Sequence, residues 1–145
     1  MILVTFRAVL DTTFFVLHYF SSDSETQSKS REILRLCRRL GNKGILPTIV
    51  LAEFYVQAAK RAGREEAKKL FNEMHNAGLD IVDMDVPIAE RAAGLRHRYQ
   101  EKVPWGDCIV AASGLNNKAS IIISEDPHFD EIKDIKTRKL ASIHL

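Results

Sequence analysis

Short apolar segments alternate with longer segments of helical periodicity along the chain. Leu3–Leu10 is rich in β-branched and apolar residues, a composition that predicts a buried strand. Further strands are predicted at Ile45–Leu46, Leu79–Val82 and Ile121–Ile123, and a last one near Ile143. Short buried strands separated by helices are typical of a parallel sheet. The pattern therefore predicts an α/β fold in which helices cover both faces of a parallel sheet.

The first two helices are predicted between the first and second strands. Phe14–Phe20 indicates an apolar helix, and the serine-rich stretch Ser21–Ser30 predicts a loop after it. The second helix is expected to run to Leu40, with its arginines facing solvent. Its inward-facing residues are predicted to be Ile33, Leu34, Leu36, Cys37 and Leu40.

Later helices are predicted from their start and stop signals. One helix begins at Pro47-Thr48 with Thr48 as a plausible N-cap, and another follows Gly63 and ends at Gly78. Asp85 is expected to cap a helix that reaches Tyr99. No internal repeat, linker or low-complexity tract interrupts this alternation. We therefore expect one domain over residues 1–145.

Charge is distributed unevenly although the net charge of the 145-residue chain is only +2. Between Arg31 and Lys69 there are ten Lys or Arg residues against four Asp or Glu residues, so the remainder is acidic. A basic region beside an acidic one suits a protein that attracts a polyanion to a metal-holding pocket. Two solvated helix faces would give the same pattern, and both interpretations stay open.

The cysteines and the N-terminal residues bear on the cellular compartment. Cys37 and Cys108 are far apart and lack metal-ligand spacing, which favours two small buried hydrophobic residues in a reducing compartment. Met1–Val4 is apolar but lacks a basic segment before it, so no secretory signal is indicated. No apolar run reaches the roughly 20 residues of a membrane span. A cytoplasmic protein is expected.

Four acidic residues occupy unusual positions in this pattern. Asp11 ends the first predicted strand, and Asp126 follows the strand Ile121–Ile123. Asp107 opens a helix that is otherwise apolar on nearly every side, and Glu53 lies inside the apolar run Ile49–Val56. Ligands of open parallel sheets gather at the carboxyl ends of the strands. All four carboxylates are therefore expected on one edge of the sheet.

Each of these acids also has a structural interpretation. Asp11 and Asp107 fit helix caps, and Asp126 fits a turn residue before Pro127. Capping does not account for Glu53, five residues into its helix, and its neighbours in sequence offer no cation.

Four carboxylates in one pocket repel one another, and a hard divalent cation offsets that repulsion. Mg²⁺ or Mn²⁺ held in this way suits phosphodiester hydrolysis, because the ion activates water and stabilises the leaving oxygen. The glycines form no phosphate-binding motif, and the histidines show no metal-ligand spacing. His128 is interpreted either as a contact to a substrate phosphate or as an exposed turn residue.

The four acids lie in motifs that resemble those of the PIN domain family, and within it the VapC-like toxin ribonucleases of toxin–antitoxin pairs. The matching stretches follow the family order across essentially the whole chain. They are Val9–Thr13, Ile49–Glu53, Asp107–Ala112 and Ile122–Phe129. Cys108 departs from the family pattern by replacing a small alanine, and Glu125 adds a negative charge beside the site.

The resemblance implies a three-layer domain with a parallel sheet of about five strands, and Mg²⁺- or Mn²⁺-dependent ribonuclease activity. It assigns Asp11, Glu53, Asp107 and Asp126 as the catalytic, metal-holding acids. Thr13 and Ser124 match the supporting hydroxyl positions. It further implies a homodimer and an antitoxin protein that covers the site. For the dimer contact, apolar helix faces around Phe14–Phe20 and Phe54–Val56 are candidates.

Three other functions are compatible with parts of this pattern. A PIN-like module could bind RNA or protein without cutting it, and an RNA-processing nuclease need not be a toxin. A receiver-like signalling domain has a similar sheet, but it needs paired acids near the first strand, where this chain has only Asp11.

Overall fold

The computed structural model describes residues 5–145, which form a five-stranded, entirely parallel sheet. The strands lie in the order β3-β2-β1-β4-β5, so β1 is central and β4 is its partner across a long connection. This arrangement confirms the predicted α/β fold. The strands are β1 Arg7–Leu10, β2 Lys43–Pro47, β3 Asp80–Val82, β4 Ile121–Ile123 and β5 Lys136–Arg138.

The described residues contain six α-helices, which connect the strands, and three short 3-10 turns in the loops after α5, β4 and β5. In residues 5–145 no helix has the length and apolar character needed to cross a membrane. The helices are α1 Thr12–Phe20, α2 Ser24–Cys37, α3 Thr48–Ala62, α4 Arg64–His75, α5 Val86–Tyr99 and α6 Trp105–Asn116. The 3-10 turns are Gln100–Lys102, Pro127–Glu131 and Leu140–Ser142.

The core is centred on β1, which is covered on both faces. Ala8, Val9 and Leu10 are all fully buried, and successive strand residues point to opposite faces. Helix α6 lies directly on one face, because a Cβ at Gly114 would come within 2.9 Å of the Val9 side chain. The glycine therefore sets how closely α6, which carries Asp107, approaches the central strand.

Several predicted boundaries are corrected by local hydrogen bonding. The first strand begins at Arg7 rather than Leu3, and Met1–Val4, including the segment judged for a secretory signal, lies outside the described residues. The predicted loop Ser21–Ser30 is wrong, because Asp23 accepts a hydrogen bond from the Thr26 amide and starts α2 at Ser24.

The end of α2 and the start of α3 also differ from prediction. Helix α2 stops at Cys37, and Leu40, expected to face inward, is fully exposed. Thr48 is the first helical residue of α3, and Pro47 occupies the N-cap position. Asp85 caps α5 as predicted, accepting a hydrogen bond from the Ile88 amide at 2.9 Å.

The prediction of a last strand near Ile143 is wrong, because the residues that form the last strand are polar. β5 is Lys136–Arg138, an edge strand with two exposed residues, whereas Ile143 is buried beyond it, just after a 3-10 turn. An edge strand needs no apolar alternation, so its sequence gives no strand signal.

The two apolar stretches proposed for dimer contact are divided between core and surface. Phe14, Phe15 and Phe54 are at most 1% exposed, whereas the other residues of Phe14–Phe20 are partly exposed and Val56 is 49% exposed. Cys37 and Cys108 are both buried and unpaired with one another, as predicted.

Candidate active site

The candidate site lies where the carboxyl ends of β1 and β4 meet. Leu10 is in register with Ile123, and the Asp11 amide donates to the Ile123 carbonyl at 3.2 Å. Asp11 therefore leaves β1 beside the segment that leads from β4 to Asp126. The chain turns to opposite sides of β1 in forming β2 and β4, and such switch points are where open parallel sheets bind ligands.

Asp11 is held by two hydroxyl groups. Ser124 Oγ donates to Asp11 Oδ2 at 2.7 Å, and Thr13 Oγ1 donates to the same oxygen at 3.2 Å. Thr13 Oγ1 also accepts from the Glu125 amide, and Ser124 Oγ accepts from the Asp126 amide at 3.0 Å. Asp11 occupies the N-cap position of α1, yet its side chain makes no capping hydrogen bond. Its hydrogen bonds instead join β1 to the loop after β4.

Glu53 reaches the same edge from the second turn of α3. Its Oε1 accepts a hydrogen bond from Thr12 Oγ1 at 3.0 Å. A Cβ at Gly106 would lie 3.1 Å from Glu53 Oε2, so glycine at the start of α6 leaves room for the carboxylate. Within residues 5–145 no Lys, Arg or His forms an ion pair with Glu53.

Asp107, Asp126 and His128 form a group of side chains at this edge that could hold a metal ion. One ligand atom from each lies within 4.8 Å of the others. His128 Nδ1 is 2.8 Å from Asp126 Oδ1 and 3.6 Å from Asp107 Oδ2. Asp126 also accepts from the His128 amide at 2.9 Å, so it serves as a turn residue as well. Asp11 and Glu53 are not members of this group.

Asp107 carries a buried oxygen without a partner. It is the third residue of α6 rather than its cap, and only 7% of it is exposed. Its Oδ2 has no hydrogen-bond partner among residues 5–145. A buried carboxylate oxygen in this state is costly unless a cation or donor is added. The oxygen therefore fits a bound cation.

Three of the acids have a raised pKa. Burial raises the pKa of Asp107 to about 8, and the charges of Asp126 and Asp11 add to the effect. Burial also raises the pKa of Asp11, although its hydrogen bonds to Ser124 and Thr13 oppose the change. The pKa of Glu53 is raised for the same main reason, burial. Clustered carboxyls with raised pKa values are characteristic of functional sites.

A cavity of about 370 Å³ opens beside these acids, between α1 and α3. Arg61 lines it, donating to Gln57 Oε1 at 2.9 Å and lying 5.8 Å from the centre of the Phe20 ring. The other lining residues are Thr12, Thr13, Val16, Leu17, Gln57 and Glu125.

The basic segment found in the sequence is divided between the two edges of the sheet. Lys43 starts β2, so it and the end of α2 lie at the amino edge, away from the acids. That part fits a solvated face, and Arg61 is the basic residue of the segment that lines the cavity next to the acids.

The four acids and two hydroxyls predicted from the sequence lie at this edge of the sheet, together with three neighbours that the sequence pattern did not assign to the site. The ring of His128 contacts the carboxylate of Asp126. Its position two residues after Asp126 is the one sequence feature that indicated this contact. Thr12 and Gly106 shape the space around Glu53, and neither produced a recognisable pattern.

Similarity to solved structures extends over nearly the whole chain. A chain of DNA-bound VapBC from Salmonella typhimurium matches with a TM-score of 0.75 at 17% identity, covering 94% of this chain and 99% of that one. A chain of VapBC2 from Rickettsia felis, bound to promoter DNA, has a TM-score of 0.73 at 18% identity, covering 92% and 98%.

The toxin VapC20 of Mycobacterium tuberculosis, which cleaves the sarcin–ricin loop, matches with a TM-score of 0.69 at 14% identity, covering 87% of this chain and 95% of that one. At these identities the similarity shows a shared fold. No curated protein sequence gives a significant match to the chain. The family model of the PIN domain matches residues 8–135, from β1 to the segment before β5. The chain therefore belongs to the PIN domain family.

Proposed function

We propose that this chain is a divalent-metal-dependent endoribonuclease and the toxin of a type II toxin–antitoxin pair. The observation that carries the proposal is the buried, unpartnered Oδ2 of Asp107 beside Asp126. A nearby carboxylate makes ionisation of Asp107 still more costly, and a divalent cation removes that cost. An acidic, water-accessible site of this kind suits phosphodiester hydrolysis.

Asp107 and Asp126 would hold Mg²⁺ or Mn²⁺, with Asp11 and Glu53 completing the acidic rim. When bound, the ion lowers the pKa of a coordinated water and stabilises the leaving oxygen. Ser124 and Thr13 fix the orientation of the Asp11 carboxylate by hydrogen bonds. The carboxylate therefore does not need to rearrange when the reaction begins.

We assign the proton-accepting role to Glu53, because it lies outside the Asp107, Asp126 and His128 group that would hold the ion. It is half-buried, and its raised pKa brings it closer to neutral pH, where a general base is most effective. Thr12 holds one oxygen of Glu53 by a hydrogen bond and leaves the other for the proton.

The cavity beside the acids supports a single-stranded nucleic acid substrate. Its apolar residues Val16 and Leu17 offer a surface for a base, and Arg61 offers a charge for a phosphate. Arg61 is already held by a hydrogen bond to Gln57 and by its position over the Phe20 ring. Its side chain would therefore lose less conformational entropy when a phosphate binds. RNA rather than DNA is part of the proposal, supported by the cleavage target of VapC20.

The toxin role is supported by the solved structures of similar fold, several of which are VapBC or other toxin–antitoxin complexes. We propose an antitoxin protein as the partner of this chain, covering the acids, and a homodimer as its assembly. Expression of the chain in bacteria should arrest growth, and Asp107→Asn should relieve the arrest. Growth arrest by the variant as well would contradict nuclease toxicity.

The direct test is cleavage of a panel of single-stranded RNAs with Mg²⁺, Mn²⁺ or EDTA. Wild type should cleave only with metal, and Asp107→Asn should lose activity while remaining folded. Asp130→Asn removes an exposed acid from the neighbouring 3-10 turn and serves as the matched control, which should cleave normally. Equal cleavage by wild type and Asp107→Asn would refute the proposed site. Metal binding without cleavage of any RNA would favour the non-cleaving binding module.

A further inference from the structure

The imidazole of His128 lies on the acid pair that carries the proposed function. Its Nδ1 is 2.8 Å from Asp126 Oδ1 and 3.6 Å from Asp107 Oδ2. His128 is thus the one histidine grouped with these acids in residues 5–145. The backbone supports this position, because the amide of His128 also donates to Asp126 Oδ1 at 2.9 Å.

These separations match the spacing of ligand atoms around one small ion. Octahedral ions with bonds of about 2.1 Å place adjacent ligand atoms about 3 Å apart and opposite ones about 4 Å apart. The separations of 2.8 and 3.6 Å lie at and just above the adjacent-ligand spacing. One ligand atom from each of the three residues also lies within 4.8 Å of the other two. The two measured separations are therefore compatible with one ion bound by the three side chains.

An ion pair between His128 and Asp126 explains less of this geometry. A single Nδ1–H directed at Asp126 leaves Asp107 Oδ2 buried and without a partner. A cation placed among the three atoms gives each of them a bond. The unpartnered oxygen of Asp107, which is 93% buried, therefore points to a ligand rather than to a simple ion pair.

We propose that His128 is a nitrogen ligand of the metal site and makes the site favour first-row transition ions over Mg²⁺. Mg²⁺ prefers oxygen ligands and binds imidazole poorly, whereas ions such as Co²⁺ accept imidazole readily. A site of two carboxylates and one imidazole therefore differs in metal preference from a site made only of carboxylates. The inference rests on the proposed metal site, but it concerns binding rather than cleavage.

The test measures Co²⁺, Mn²⁺ and Mg²⁺ binding to the metal-free protein by calorimetry, without RNA. His128→Ala should weaken Co²⁺ binding by about tenfold or more, since a ligand is lost, and Mg²⁺ binding by less than about threefold. His128→Asp supplies an oxygen ligand and should shift the preference toward Mg²⁺. His97→Ala, which removes an exposed histidine on α5, is the control and should bind both ions as wild type does.

A second readout is the visible absorption of bound Co²⁺, which should change when His128 is replaced and stay unchanged in His97→Ala. An equal change of Co²⁺ and Mg²⁺ affinity in His128→Ala would overturn the inference, and so would the absence of any change. Failure of wild type to bind any of the ions would overturn it together with the proposed site. Selective binding without RNA cleavage would uphold the inference and count against the nuclease alone.

Discussion

Replacing Asp107 by asparagine should stabilise the metal-free protein while abolishing its proposed activity. Asparagine has nearly the same shape as aspartate but no charge to bury. Asp107 is only 7% exposed, and its charge lies close to those of Asp126 and Asp11. Without a cation, the folded chain must either ionise Asp107 against this repulsion or keep it protonated, and the variant removes that free-energy cost.

The size of the effect follows from the pKa of Asp107, which rises from 3.8 to about 8 on folding. Between these values the folded protein binds more protons than the unfolded chain, so its free energy of unfolding falls as pH rises. At pH 7 the shift corresponds to about 4 kcal/mol at most, from about 1.4 kcal/mol per pKa unit. The neighbouring acids share this cost, so we expect a gain of about 2–4 kcal/mol.

Urea unfolding in EDTA at pH 5, 7 and 9 measures this difference between Asp107→Asn and wild type. The stability advantage of the variant should increase from pH 5 to pH 8 and then level off. Saturating Mn²⁺ should reduce or reverse it, because binding to the folded state stabilises wild type more. An advantage independent of pH, or a less stable variant, would refute the reasoning. Asp130→Asn, as the exposed control, should show no such pH dependence.

Three further substitutions test other contacts of the site. Ser124→Ala removes the hydrogen bonds of Ser124 to Asp11 and to the Asp126 amide. The variant should lose about 1–3 kcal/mol of unfolding free energy in urea and should cleave RNA more slowly. Unchanged stability would contradict the contact. Gly106→Ala should displace Glu53 and slow cleavage, with stability within about 1 kcal/mol of wild type; normal cleavage would contradict the crowding. Arg61→Gln should weaken the binding of a single-stranded RNA to the metal-free protein. The salt dependence of the RNA affinity should fall by about one phosphate contact. An unchanged salt dependence would show that Arg61 does not contact the RNA.

The central part of the fold could be predicted from sequence because burial leaves an apolar signal. β1 and β4 are apolar runs that end near acids, and the edge where parallel strands end is fixed by topology. β5 could not be found, because an edge strand such as Lys136–Arg138 faces solvent and pairs only through its backbone. The start of α2 was missed because one capping bond from Asp23 outweighs the loop propensity of the serines.

The acids of the candidate site could be identified, but their relations to one another could not. Isolated carboxylates in apolar surroundings are visible in sequence, which is why Glu53 and Asp107 stood out. The grouping of His128 with Asp126 depends on a 3-10 turn that directs the ring back toward α6. Asp11 is held apart from that group by hydrogen bonds from Thr13 and Ser124. Ser124 is 113 residues away in sequence, so its contact with Asp11 forms only in the packed fold.

The pairing of β1 with β4 has a consequence for the synthesis of this chain. Asp11 is bonded to Ser124, and β1 stays without its β4 neighbour until Ile121–Ile123 has been made. A nascent chain that has reached only α5 contains Asp11 and Glu53 but neither Asp107 nor Asp126. The acidic edge can therefore assemble only after β4 and the loop that carries Asp126 have been made. For a nuclease, this order of synthesis would keep the growing polypeptide inactive until that loop has been made.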